Sequence, residues 1–123
     1  MADEPRKPHP VEINLHQKSR VLEVSFDDGA YFNLTCEYLR VHSPSAEVRG
    51  HGPGQEVLQV GKEQVNISAI DPVGSYAVRL HFDDGHNTGL FSWSYLYELG
   101  AQYEDKWRDY LARLQQAGVT RSV

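Results

Sequence analysis

The sequence predicts an α+β fold: a small antiparallel sheet built from two Asp-Gly β-hairpins, with short helices and a C-terminal amphipathic helix. Three observations carry this expectation. Phe26-Asp27-Asp28-Gly29 returns as Phe82-Asp83-Asp84-Gly85, and alternating apolar residues precede each copy. Tyr38-Leu39 and Tyr95-Leu96 follow the two copies at about ten positions' distance. Beyond Gln102, apolar residues recur at the spacing of one helical face.

Residues 1–10 hold Pro5, Pro8 and Pro10 among charges, which predicts a disordered tail. Val11, Ile13 and Leu15 alternate with Glu12 and Asn14, the pattern of a first strand. The first Asp-Gly predicts a type I′ turn, whose two central positions both need positive φ, and it pairs Leu22, Val24 and Phe26 with Phe32 and Leu34. Thr35 is then the N-cap of a brief helix, with Tyr38 and Leu39 facing inward and Arg40 at its end. From His42 to Gln55 the composition is that of a loop. Within it, Ser43, Pro44 and Glu47 predict a single helical turn that starts with Pro at N1.

Val57 to Val60 and Val65 to Ile70 read as a strand pair, after which Asp71-Pro72-Val73-Gly74 turns the chain into the second hairpin. That hairpin pairs Tyr76, Val78, Leu80 and Phe82 with a strand through Thr88 to Phe91. Ser92 precedes a short aromatic helix that Gly100 stops. Tyr103, Trp107, Tyr110, Leu111 and Leu114 then form the inner face of a longer helix, with Gly118 as its stop. The domain is expected to span residues 11–118, with 119–123 as a second tail.

A chain of 123 residues with 40% hydrophobic content has enough material for one core and too little for two. Its net charge of −5, from 17 acidic and 12 basic residues, includes no basic stripe, which argues against nucleic acid as a partner. No apolar run approaches the ~20 residues of a membrane span. The polar Met1–Pro10 segment lacks the apolar region of an export signal, so the expected location is cytoplasmic. Cys36 is the only cysteine, so no intrachain disulfide can form. It reads as a small buried apolar residue before it reads as a catalytic thiol. Asn66-Ile67-Ser68 matches a glycosylation acceptor by chance.

His81-Phe82-Asp83 has the His-x-Asp spacing of an iron triad, but alternation turns Leu80 and Phe82 inward and His81 and Asp83 toward solvent. Asp27-Asp28 and Asp83-Asp84 are turn residues, since neighbours in a turn diverge and do not face a common substrate. Loop histidines are more often solvated than metal-bound. A weaker candidate set for iron or zinc remains in His42, His51, His86 and Cys36. No nucleophile, base and orienting group can be assembled from spacing, so no cofactor and no enzymatic activity are predicted. The expected activity is recognition of a protein partner through Arg40, Ser43, Ser45, Glu47, His51, His86, Trp93 and Tyr95. The competing reading has these residues bracing the fold, with Arg40 paired to Glu47.

Together, Ile13-x-Leu15, the first hairpin, Glu37-Tyr38-Leu39-Arg40, the Ser43 to His51 block and Asp84-Gly85-His86-x-Thr88-Gly89-Leu90 resemble a known family. It is the domain at the N-terminus of gamma-butyrobetaine hydroxylase, and the resemblance runs from about Val11 to Leu99. The resemblance implies a zinc module in which Leu-Arg precedes a Cys-Pro-Cys-x-x-Cys segment and a His follows Asp-Gly. Laid on this chain, the three Cys positions fall on Ser43, Ser45 and Val48, and only His86 is kept. Serine and valine offer no thiolate, so the implied zinc site is lost, and hydroxyls are expected to close the loop instead. The hydroxylase's catalytic domain has no counterpart here. Fusion of related domains to P-loop ATPases that carry iron-sulfur clusters implies an accessory role beside such a carrier. Partnership with a 2-oxoglutarate-dependent oxygenase is the alternative that the resemblance implies.

Overall fold

The computed structural model describes residues 7–50 and 56–121. Among the described residues, six strands and four helices follow in the order β1 (Pro10–His16), β2 (Val21–Phe26), β3 (Tyr31–Thr35), α1 (Cys36–Val41), α2 (Ala46–Arg49), β4 (Ile67–Val73), β5 (Ala77–Phe82), β6 (Leu90–Ser92), α3 (Trp93–Ala101) and α4 (Tyr103–Gln116). The α+β class holds. The antiparallel strands divide into two three-stranded sheets, β1-β2-β3 and β4-β5-β6, where one sheet was expected.

The two sheets are built alike. Leu22 pairs with Leu34 and Val24 with Phe32, as alternation predicts, and in the second sheet Val78 pairs with Phe91. Both Asp-Gly turns differ from the expected type I′ geometry. Gly29 and Gly85 share φ 90, whereas Asp28 and Asp84 stay at negative φ. The Gly29 N–H donates to the Phe26 carbonyl at 3.1 Å and the Phe26 N–H to the Ala30 carbonyl at 2.8 Å, and residues 82, 85 and 86 repeat both bonds. This is the three-residue loop in which a type I turn is followed by a left-handed glycine, so only one position needs positive φ.

The carboxylates of the turns bond in matching ways. Asp27 accepts from the His9 N–H at 3.2 Å and Asp83 from the Asn66 N–H at 3.0 Å. Asp28 accepts from the Ala30 N–H at 2.9 Å and Asp84 from the His86 N–H at 3.1 Å. Thr35 and Ser92 cap α1 and α3 with equal 3.1 Å bonds from the Tyr38 and Tyr95 N–H groups. Each turn also reaches the helix of the other half: the Tyr97 hydroxyl donates to Asp28 at 2.6 Å, and Arg40 Nε donates to Asp84 at 2.9 Å. Arg40 stands to Thr35 as Tyr97 stands to Ser92. The sequence echo is therefore an approximate internal two-fold.

Several boundaries fall elsewhere than predicted. Pro10 belongs to β1, so the expected tail ends earlier, and residues 1–6 lie outside the described residues. No strand forms at 57–60, and β4 pairs with β5 instead. Asp71, Pro72 and Val73 lie within β4, an edge strand, where a proline's missing N–H leaves no ladder bond unmade. Gly100 lies inside α3 and does not end it. A Cβ there would stand 2.3 Å from the Phe32 ring, so a close approach and not a stop requires the glycine. Leu111 is exposed, not inward. At the end of α4, bonds from Gly118 N–H to Gln115 and from Val119 N–H to Leu114 form the expected glycine stop.

One core joins the sheets to the helices, with Leu22, Val24, Leu80 and Phe91 from the strands meeting Leu39, Leu96 and Leu99. Cys36 and Tyr38 lie in it, and the Tyr38 hydroxyl donates to the Leu99 carbonyl at 2.6 Å, satisfying a group at the end of α3. A smaller cluster of Val41, Tyr110 and Leu114 receives Leu58, Trp107 and Val119. Within the expected tail, Val119 is thus packed and Thr120 is exposed, while 122–123 lie outside the described residues.

Candidate functional site

The second Asp-Gly turn delivers His86 to the loop between α1 and α2. There its Nε2 stands 2.8 Å from Ser43 Oγ and 3.3 Å from Ser45 Oγ, and its Nδ1 stands 3.2 Å from Glu47 Oε2. The Glu47 carboxylate can only accept, so Nδ1 carries the proton and Nε2 accepts from the serine hydroxyls. Thr88 Oγ1 donates to the other oxygen of Glu47 at 3.2 Å. Burial pushes the His86 imidazole below its ordinary value, and the Arg40 charge adds to this against Glu47 and Asp84. The local helix has shifted to make this arrangement: α2 begins after Ser45, two residues later than a Pro44 start would give. The Ser45 hydroxyl makes no cap bond and faces His86.

Arg40 does not pair with Glu47. It joins Lys62 on Asp84 Oδ2, at 2.9 and 2.7 Å, and its Nη1 donates to Gln59 at 3.0 Å. Burial alone would raise the Asp84 carboxyl, but bonds from Lys62, the His86 N–H and Arg40 outweigh it and hold the group at about 2. Arg40, Ser43, Ser45 and His86 are all buried, so they brace the fold and do not present an exposed face. Glu47 is exposed. Trp93 and Tyr95 are half-buried with their polar ends used internally, the indole on the Ser75 carbonyl at 2.7 Å and the phenol on the His42 carbonyl at 2.6 Å. His51 lies outside the described residues.

Ser43, His86 and Glu47 stand in the order nucleophile, base and orienter, an alignment that spacing could not reveal because His86 comes from the other half of the chain. Access is what this alignment lacks. Ser43 is 1% exposed, and a Cβ on Gly89 would stand 2.2 Å from its oxygen, so backbone seals the hydroxyl from an incoming carbonyl. Zinc does not fit the donors either, since neutral hydroxyls and a valine replace the thiolates that structural zinc takes. Of the weaker metal candidates, His42 and Cys36 have other partners. The His42 Nδ1 is 2.9 Å from the Tyr38 carbonyl, with its ring against Tyr38 and Tyr110. Cys36 lies 3.7 Å from Asn66 Oδ1, and burial pushes its thiol up to about 11, where a reactive thiolate does not form.

His81 and Asp83 turn outward as expected, with His81 2.6 Å from Asp71 Oδ2. Asn66 spends its side chain on the Gln17 carbonyl, its neighbour's N–H and Cys36, which leaves its amide committed within the fold.

Beside the sealed cluster, α2, α3 and α4 enclose an open cleft of about 900 Å³. His42, Arg49, Val57, Tyr95, Lys106 and Asp109 are among its walls. The Arg49 guanidinium lies over the Tyr95 ring at 5.1 Å. Of the residues that line it, Ser43 among them, sequence reasoning singled out His42, Ser43 and Tyr95. Exposed Val57 was assigned to a strand, and Lys106 is one of the polar residues of α4, whose relation to the loop needs the tertiary fold.

The model of the family described as gamma-butyrobetaine hydroxylase-like, N-terminal, matches residues 13–97. No curated protein matches the chain. One protein solved by NMR is 54% identical with a TM-score of 0.81, over 98% of this chain and 90% of that one. A second NMR structure is 48% identical with a TM-score of 0.80, over 94% and 90%. A crystal structure of a DUF971-family protein of unknown function from Acidithiobacillus ferrooxidans is 47% identical with a TM-score of 0.63, over 75% and 92%.

Proposed function

The chain belongs to the gamma-butyrobetaine hydroxylase-like N-terminal family, and on that premise we propose that it is a non-catalytic protein-interaction module that docks a partner in the cleft between α2, α3 and α4. The observation that carries this reading is that Ser43, in the wall of an open cleft, is itself 1% exposed. The Ser43, His86 and Glu47 constellation is hydrogen-bonded shut, while Arg49, Tyr95 and Lys106 offer the aromatic and cationic anchors that interfaces favour. The family resemblance makes an iron-sulfur carrier ATPase the first partner to test and a 2-oxoglutarate-dependent oxygenase the second.

Calorimetric titration of the full chain with each purified candidate tests the proposal. A complex that weakens at least about tenfold in Arg49→Glu and Lys106→Glu, with the fold intact, supports it. Binding that is indifferent to both charge reversals removes the cleft from the interface. Ester hydrolysis abolished by Ser43→Ala would overturn the non-catalytic reading.

A further inference from the structure

Glu37 is an unusual carboxylate, 5% exposed in the first turn of α1, and both its oxygens face one guanidinium. Arg121 Nε donates to Oε2 at 2.8 Å and Arg121 Nη2 donates to Oε1. The same guanidinium lies over the Trp107 ring at 5.3 Å, and Tyr103 stacks parallel to Trp107 at 6.4 Å. A planar fork on a carboxylate, held against an aromatic face, is a geometry that arginine satisfies and lysine does not. The carboxylate also needs a cation, because a buried charge left unpaired is strongly destabilising.

The arginine that fills this place comes from beyond the last helix. After the Gly118 turn, Val119 packs on Tyr110 and Leu114, and Arg121 reaches back to α1. This strap contributes to no strand or helix and is held by the Arg121 fork and the Val119 contact, so a competing arginine that re-pairs Glu37 can replace it without opening a sheet or helix. We propose that Glu37, Tyr103 and Trp107 form a guanidinium-recognition site that Arg121 fills in cis, and that an arginine-bearing segment of a protein partner takes by displacing residues 119–121. The site draws on α4 residues other than those lining the cleft, so either interaction stands without the other.

The test is an NMR titration of the full chain and of Arg121→Ala with a short, otherwise neutral peptide carrying one arginine, and with its lysine counterpart. The variant is expected to bind the arginine peptide saturably, with shifts at the Glu37 amide and the Trp107 indole. The unaltered chain is expected to bind about tenfold more weakly, because its own arginine occupies the site most of the time. Adding Glu37→Gln to the variant should abolish the response. Should Arg121→Ala fail to fold, Arg121→Lys, which keeps the charge and loses the fork, carries the same comparison. Absence of saturable binding in the folded variant, equal affinity in variant and unaltered chain, or equal affinity for arginine and lysine would each overturn the proposal.

Discussion

His86 illustrates how a residue's meaning depends on a neighbour that sequence order hides. Its imidazole is tied to Ser43, Ser45 and Glu47, so truncation removes several bonds at once from a buried place. Ser43→Ala should cost about 1 kcal/mol, and His86→Ala about 2–3 kcal/mol, in urea unfolding. Burial also pushes the His42 imidazole below the ordinary 6.5, with Lys106 and Arg113 adding to the shift. Such a histidine binds fewer protons folded than unfolded, so its stabilising effect is complete above the unfolded value and is lost as pH falls through the folded one. His86 has the same sign. Urea midpoints should therefore fall from about pH 7.5 to about pH 5.5, and less so in His42→Gln, if these two groups dominate that window.

At the level of elements, the hairpins, the Thr35 cap and the glycine stop after α4 were legible because each is written in local chemistry. What local chemistry could not show was distance-dependent. Gly100 reads as a helix stop until Phe32, from another element, is seen against it. Pro44 reads as a helix start until His86 claims the Ser45 hydroxyl. Gly100→Ala should accordingly destabilise by about 1–3 kcal/mol although alanine is the better helix former, and Phe32→Leu in the same chain should recover part of that loss. Chemical denaturation of the two single variants and the double variant measures it. Additive costs would show that the ring and the glycine are not coupled.

Across the whole molecule, the α+β class and the two-part echo were readable, whereas the division into two sheets was not, because alternation fixes a strand's faces and not its sheet. The candidate site was half legible: the serine loop and His86 were singled out, but their burial and the cleft beside them were not. One core spans both halves, so residues 7–50 expressed alone should give no cooperative thermal transition by circular dichroism, whereas the full chain should give one. Counted from Thr35 and Ser92, Gly100 holds the position of Ser43, and Gly89 that of Phe32. One corner is thus closed by a ring against a glycine and the other by a serine against a glycine. Two unlike chemistries, hydrocarbon at one bend and a hydroxyl at its twin, thus hold the same backbone shape.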